Sequence, residues 1–282
     1  MGKNIIYNGV LLDRDNFSLS LMNRSFRYGD GVFETIRCRN SNPLWWSYHF
    51  ARLQRSAEVL RIELPESFSQ QVLENQIQEL LKSNGFTKGA RLRLSLFRTH
   101  GGFYKPQNNK GEYIVEAEKL ENESYTLNKL GLNLGVYTEL SKSCNFLGGI
   151  KSSSSILYVL ASLYAAENKW DDVVILNETG HVAEATSSNL FMVTGDKLYT
   201  PDLDQACVDG VMRKVILDIG SKYGYNVSEC AILPDDLLKA DEVFITNAIR
   251  GIQWVKGIKN KRYYHEVSSG LIAALEKESE AL

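Results

Sequence analysis

Lys151 sits in the run G-G-I-K-S-S-S-S, with glycines before it and small hydroxyl residues after it. That leaves open space around the amine. The residue also precedes a stretch with helical periodicity, and the positive end of a helix dipole disfavours an ammonium and lowers its pKa. Such an amine suits Schiff-base chemistry, although by itself the same lysine reads as a solvated surface residue until partners are added. Glu184 lies in H-V-A-E-A-T-S-S-N-L-F, where small neighbours would admit a flat ring. A carboxylate there could hold a proton on a pyridine nitrogen, or be an ordinary exposed strand glutamate. Asp209-Gly210-Val211-Met212 opens a predicted helix, whose free amides could bind phosphate or simply follow an Asp209 cap. Arg52 could be a bidentate phosphate ligand or a solvated helix-face arginine. Arg98 opens R-T-H-G-G at 98–102, a cation before flexible glycines that suits a carboxylate-binding loop or a loop edge.

Other chemistries lack their residues. There is no G-x-S-x-G elbow, no Ser/His spacing for a triad, no P-loop and no G-x-G-x-x-G. The four histidines have no zinc-binding spacing, so no metal site is expected. The four cysteines are scattered without a C-x-x-C pair and read as free thiols in a reducing cytoplasm. With 32 Lys+Arg against 34 Asp+Glu, the net charge is −2, which gives no global field for nucleic acid or an anionic membrane. The first residues show no secretion or myristoylation pattern, and the uncharged run 152–166 is too short and serine-rich to span a bilayer.

The elements that must position these groups follow from periodicity. At roughly 150 residues per domain, the 282 residues favour two domains. The apolar 44% and charged 23% are those of an ordinary globular chain. Asn8-Gly9 between apolar triplets reads as a hairpin. Residues 48–62 read as a helix with Leu53, Ala57 and Leu60 on one face. Ser67 and Gln70 have capping-box spacing before a second helix that ends at Gly85. Leu92, Leu94 and Leu96 alternate with Arg91, Arg93 and Ser95 in a half-buried strand, and 112–117 gives another. The polar stretch 121–129 reads as a linker, so the expected domains are 1–120 and 130–282. In the second, a strand at 131–138 precedes a helix at 154–168 that is apolar on most sides and expected to be buried. Strands at 173–177, 181–193 and 197–200, a helix after Asp209, strands at 226–232 and 242–246 with a short helix at 235–240 between them, and a helix at 265–279 complete it. Strands and helices cluster rather than alternate strictly, so the expected class is α+β.

Taken together, the motifs say more than each does alone. N-R-S-F-R-Y-G-D-G-V-F-E-T-I-R at 23–37, H-F-A-R-L at 49–53, G-G-I-K at 148–151, E-A-T-S-S-N-L-F at 184–191 and D-G-V-M-R at 209–213 stand in the order and spacing of a known family. The chain resembles the class IV aminotransferases, the fold-type IV pyridoxal-phosphate enzymes, nearly end to end. The resemblance implies a small N-terminal α/β sandwich domain, a larger β-barrel-like cofactor domain, and a homodimer whose site borrows residues from a second subunit. It implies pyridoxal 5′-phosphate as cofactor, with Lys151 as the Schiff-base residue and Glu184 on the pyridine nitrogen. Arg52 and the Val211 and Met212 amides would hold the phosphate.

Three branches compete within the family. The stretches 198–213 and 244–252 look most like 4-amino-4-deoxychorismate lyases, with Asn247 where lyases use an asparagine and Thr35 matching a threonine near the lysine. Branched-chain enzymes carry a tyrosine five residues after the lysine, where this chain has Ile156. Against this, lyases often have an asparagine where Ser154 stands, and Arg98 with His100 could serve a D-amino-acid carboxylate. The reading is therefore a lyase releasing pyruvate and 4-aminobenzoate, with Lys151 and Thr35 catalytic. Arg98 and Asn247 would bind the substrate, with Arg250 and Lys105 as lesser candidates. Its alternatives are a branched-chain or D-amino-acid aminotransferase, or a cofactor-binding homologue of little turnover.

Overall fold

The computed structural model describes residues 1–66 and 68–282, and the chain divides into two compact units. The first comprises 1–123 together with 151–154 and residue 282; the second comprises 124–150 and 155–281.

The first unit contains β1 (Asn4–Tyr7), β2 (Val10–Asp13), α1 (Arg24–Tyr28), β3 (Gly31–Arg39), β4 (Asn42–Pro43), α2 (Trp46–Val59), α3 (Gln70–Ser83), β5 (Gly89–Arg98) and β6 (Gly111–Lys119). The strands form one antiparallel sheet in the order β2-β1-β6-β5-β3-β4. The Asn8-Gly9 turn is present, both residues at positive φ. Leu92, Leu94 and Leu96 are fully buried and pair with Ile36, Glu34 and Val32. Side chains alternate along a strand, so one sheet face is an apolar layer, and α2 and α3 bring Leu53, Ala57, Leu73, Ile77 and Leu80 to the same core. The other face carries Phe33, Thr35, Arg91 and Arg93. The Ser67 capping box lies outside the described residues; the cap of α3 is Ser69, whose hydroxyl accepts from the Val72 amide.

The strand β3 runs through the charged stretch Glu34 to Arg39, where no strand was read from the sequence. Its charges mislead because Glu34 and Arg37 are buried with partners rather than solvated.

The second unit contains β7 (Leu132–Lys142), α4 (Ile156–Glu167), β8 (Asp172–Asn177), β9 (Val182–Ala185), β10 (Asn189–Thr194), β11 (Lys197–Pro201), α5 (Val211–Lys222), β12 (Asn226–Cys230), α6 (Pro234–Leu237), β13 (Glu242–Asn247), β14 (Gly251–Ile258), β15 (Lys261–Arg262) and α7 (Glu266–Glu280). The sheet runs β12-β11-β10-β13-β14-β7-β8-β9, with β15 on β14. Its last strand, β9, also contacts β10, so the sheet curls back on itself into a half-barrel. Leu134, Val174, Val182, Leu190, Ile245 and Val255 fill it. The single strand expected at 181–193 is two, because the chain turns at 186–188 to pass from β9 to β10. From Ser124 the chain is fastened rather than tethered: Tyr125 is buried and its hydroxyl donates to the Ala248 carbonyl at 2.9 Å.

The helix α4 is not buried as its composition suggested. Only Ala161 and Ala165 are enclosed, against Tyr137, Val173 and Ile175. Ile156, Val159 and Leu163 remain more than half exposed.

Candidate active site

Lys151 belongs to the first unit because its short segment pairs with the start of β3. The Phe33 amide donates to the Lys151 carbonyl at 3.1 Å, and the Ser153 amide donates to the Gly31 carbonyl at 2.9 Å. Glycine permits this approach: a Cβ on Gly29, which has φ +67°, would stand 3.1 Å from the Ser154 Cα. The Lys151 ammonium lies 4.5 Å from the centre of the Phe33 ring. Thr35 is two residues along β3 from Phe33 and so shares its face, half-buried beside Arg93.

On the opposite face of β3, Glu34 interrupts the apolar row and needs partners. It finds them on α2. Arg52 donates through Nε to Oε1 at 2.8 Å and through Nη2 to Oε2 at 2.5 Å, and His49 Nδ1 lies 2.6 Å from Oε2. Burial pushes the Glu34 carboxyl up, but the Arg52 charge and the hydrogen bonds from His49 and Arg52 more than offset it and hold it at about 2. Burial likewise lowers the His49 pKa despite the adjacent carboxylate. An ionised carboxylate only accepts, so the proton of the neutral ring is on Nδ1. His49 Nε2 is then a buried acceptor without a hydrogen-bond partner among the described residues. Arg52, expected as a phosphate ligand, is thus oriented by Glu34. Neither Glu34 nor His49 was singled out from the sequence. The signal was present: His49 stands three residues before Arg52 on one helix face, and Glu34 sits at an inward strand position.

The second unit holds Glu184 on β9, flanked by buried Ala183 and Ala185. Its Oε1 accepts from Lys142 Nζ at 2.5 Å and from the Tyr158 hydroxyl at 2.7 Å, while Oε2 accepts from the Val208 amide at 3.0 Å. Burial and the neighbouring carboxylate push the Tyr158 phenol far up, so it stays a donor. The sequence reading missed Lys142 and Tyr158 as well; they come from different elements, and no spacing links them to Glu184.

At the start of α5, Gly210 is the N-cap and supplies no side-chain bond. The first-turn amides, including those of Val211 and Met212, lack intrahelical partners. Both side chains point into the core, 4% and 1% exposed, so only their amides can face a ligand. Gly210 is required there, since a Cβ would meet Asn189 Oδ1 at 1.8 Å.

Asn247 is partly engaged. Its Oδ1 accepts from the Ile249 and Arg250 amides, which closes the turn after β13, and Nδ2 donates to Ser188 Oγ at 3.0 Å. The second Nδ2 hydrogen has no described partner. Arg98 does not fit the expected substrate role. Nε and Nη2 donate to Asp30, Nη1 to the Arg61 carbonyl and Asn109 Oδ1, and Nη2 also to the Leu60 carbonyl. All five N–H groups are used, and the side chain is buried. It ties β5 to the loops around it. Lys105, His100 and Arg250 are exposed.

A model of amino-transferase class IV matches residues 31–258. An aminodeoxychorismate lyase of Vibrio harveyi is 32% identical over 244 residues, covering 84% of this chain and 86% of the relative. A D-alanine aminotransferase of Bacillus licheniformis is 29% identical over 86% of this chain and 84% of the relative. Among solved structures, a T.th. branched-chain amino acid aminotransferase with pyridoxamine 5′-phosphate superposes with a TM-score of 0.91 at 26% identity, covering all of this chain and 96% of that one. The half-barrel of the second unit, the motifs that place Lys151 and Glu184, and a match spanning most of the sequence make this chain a member of the class IV aminotransferase family.

Proposed function

We propose that this enzyme is a 4-amino-4-deoxychorismate lyase that releases pyruvate and 4-aminobenzoate. Its cofactor is pyridoxal 5′-phosphate, and the residues present fit that group. Glu184 Oε2 has one described donor and so keeps a lone pair for a ring N–H. The uncapped amides at the start of α5 suit a phosphate. When bound, the cofactor supplies an electron sink conjugated to the substrate amine.

Lys151 would be the residue that holds the cofactor at its carbonyl. Its Nζ would take the proton from the substrate ring carbon that bears the amine and return one to the departing enolpyruvyl group. Glu184 holds the proton on the ring nitrogen. Arg52, fixed by Glu34, and the Val211 and Met212 amides hold the phosphate. Thr35, on the strand face that carries Phe33, orients the lysine. Asn247 offers its remaining Nδ2 hydrogen to a substrate carboxylate.

The identity to an aminodeoxychorismate lyase over most of both chains carries the reading. Ile156 supports it by placing an alkyl chain, 66% exposed, where branched-chain enzymes have a tyrosine. The similarity to a D-alanine aminotransferase favours amino transfer as the second reading, with the same lysine and glutamate. Supplying aminodeoxychorismate without any 2-oxo acid separates the two.

The active form we propose is a homodimer. The exposed Ile156, Val159 and Leu163 of α4, with Phe146 and Leu147 just before it, support an interface on the second unit. The four free cysteines suit a reducing compartment such as the cytoplasm.

A further inference from the structure

Glu184 has more partners than holding a ring nitrogen requires. A carboxylate oxygen offers about two lone pairs. Oε1 gives both away, to Lys142 at 2.5 Å and to Tyr158 at 2.7 Å. Oε2 accepts from the Val208 amide and is the oxygen left open. Lys142 and Glu184 are 8% and 3% exposed, so little water screens the pair. Lys142 ends β7, where the pairing with β8 shifts register before Lys142 meets Asn177. The irregularity carries the lysine past the regular ladder to the carboxylate. Tyr158 comes from α4, and its ring lies 5.4 Å from the same ammonium. The three side chains therefore lock one another.

We infer that Lys142 is a positioning residue that limits how firmly Glu184 holds a proton on the cofactor's ring nitrogen, while Tyr158 fixes Oε2 as the oxygen that serves it. This rests on the reading of Glu184 given above. The physical case is electrostatic. A carboxylate alone raises the proton affinity of a neighbouring ring nitrogen strongly. The same carboxylate already bound to a fixed ammonium does so less, because the second cation repels the ring proton and draws on the same anionic charge. A protonated ring is the stronger electron sink, so Lys142 moderates the electron demand on the substrate. Tyr158 acts in the same sense more weakly, since a neutral donor stabilises the anion with no net charge of its own.

The test is nitrogen-15 NMR of the holoenzyme loaded with ring-labelled pyridoxal phosphate, followed across pH. The label reports ring protonation directly, whatever the turnover. Lys142→Met should keep the ring protonated to higher pH than the wild type, by about tenfold or more in proton affinity. Lys142→Arg should behave as the wild type. Tyr158→Phe should shift the midpoint the same way by less, and it stands in if Lys142→Met does not fold. Unchanged midpoints in Lys142→Met and Tyr158→Phe, or a wild-type ring protonated at every accessible pH, would overturn the inference. Glu184→Gln separates this from the underlying assignment. It should lose the ring proton at lower pH than the wild type. If Glu184→Gln leaves the signal untouched, or the wild type binds no cofactor, the assignment of Glu184 itself fails and takes the inference with it.

Discussion

His49 donates its Nδ1 proton to Glu34 across 2.6 Å, in a largely apolar layer. Arg52 closes the other side of the carboxylate, so Glu34 orients the residue proposed to hold phosphate. This triad makes the fold of the first unit sensitive to acid. Glu34 is held at about 2, below its ordinary 4.5. Its depressed pKa contributes stability that is fully present above the unfolded value and is lost as pH falls through the window from 4.5 toward 2. His49, pulled below 6.5, works in the same direction, because the unfolded ring binds a proton that the buried ring refuses. Urea unfolding between pH 2 and 6 should therefore show stability falling with acid. Glu34→Gln should lower stability at neutral pH by about 3–5 kcal/mol, since it strands a buried guanidinium, and should flatten the acid limb. An unchanged slope in that variant would remove the triad as the source of the acid sensitivity.

The purified protein is expected to be yellow, with Lys151 carrying a borohydride-reducible link to the cofactor. Lys151→Ala should abolish the link while the phosphate contacts still retain cofactor. Mass spectrometry after reduction would show it, and a covalent adduct elsewhere in that variant would contradict the assignment.

Arg98 and Asn247 should separate in kinetics. Arg98→Met removes a buried cation with five bonds, leaving Asp30 with Arg24 as its remaining described partner. The expected effect is a loss of about 3–5 kcal/mol in stability with little change in the KM of the folded fraction. Asn247→Ala should instead weaken substrate use, by about 1.5–3 kcal/mol for a hydrogen bond to a charged group. The reverse pattern would restore Arg98 as the carboxylate ligand.

The exposed side of α4 predicts association. Val159→Asp places a charge where the native residue is 51% exposed in the single chain, so a monomer has little reason to unfold. Sedimentation should show a wild-type dimer and a variant shifted toward monomer with reduced turnover. A wild-type protein that is monomeric and fully active would end the shared-interface proposal.

The sequence was most legible where one physical rule decided the outcome. Alternation located the core face of β5 through Leu92, Leu94 and Leu96, and Asn8-Gly9 located the first hairpin. It failed where two rules competed. The segment that forms β3 looks polar, yet Glu34 is buried because α2 supplies its partners from 15 and 18 residues away. The helix α4 looks like core, yet only Ala161 and Ala165 are enclosed, since hydrophobicity does not say whether the covering surface belongs to the same chain. Lys151 and Glu184 stood out as candidates because each lies in a local motif of small neighbours. The partners of Glu184 were not legible, because Lys142 meets it across 42 residues through a register shift. Arg98 misled in the opposite way: a cation beside glycines suits a ligand loop, but the carbonyls and Asp30 around it take every donor.

The central claim is the reaction itself. Purified holoenzyme should be given 4-amino-4-deoxychorismate alone, with no 2-oxo acid present, and pyruvate and 4-aminobenzoate should be measured together. A lyase gives many turnovers, the two products in equal amounts, and an enzyme spectrum that returns to its starting form, and that is the expected result. Failure to release 4-aminobenzoate, together with sustained cycling on a branched-chain or D-amino acid plus 2-oxoglutarate, would contradict the lyase reading and make the enzyme an aminotransferase.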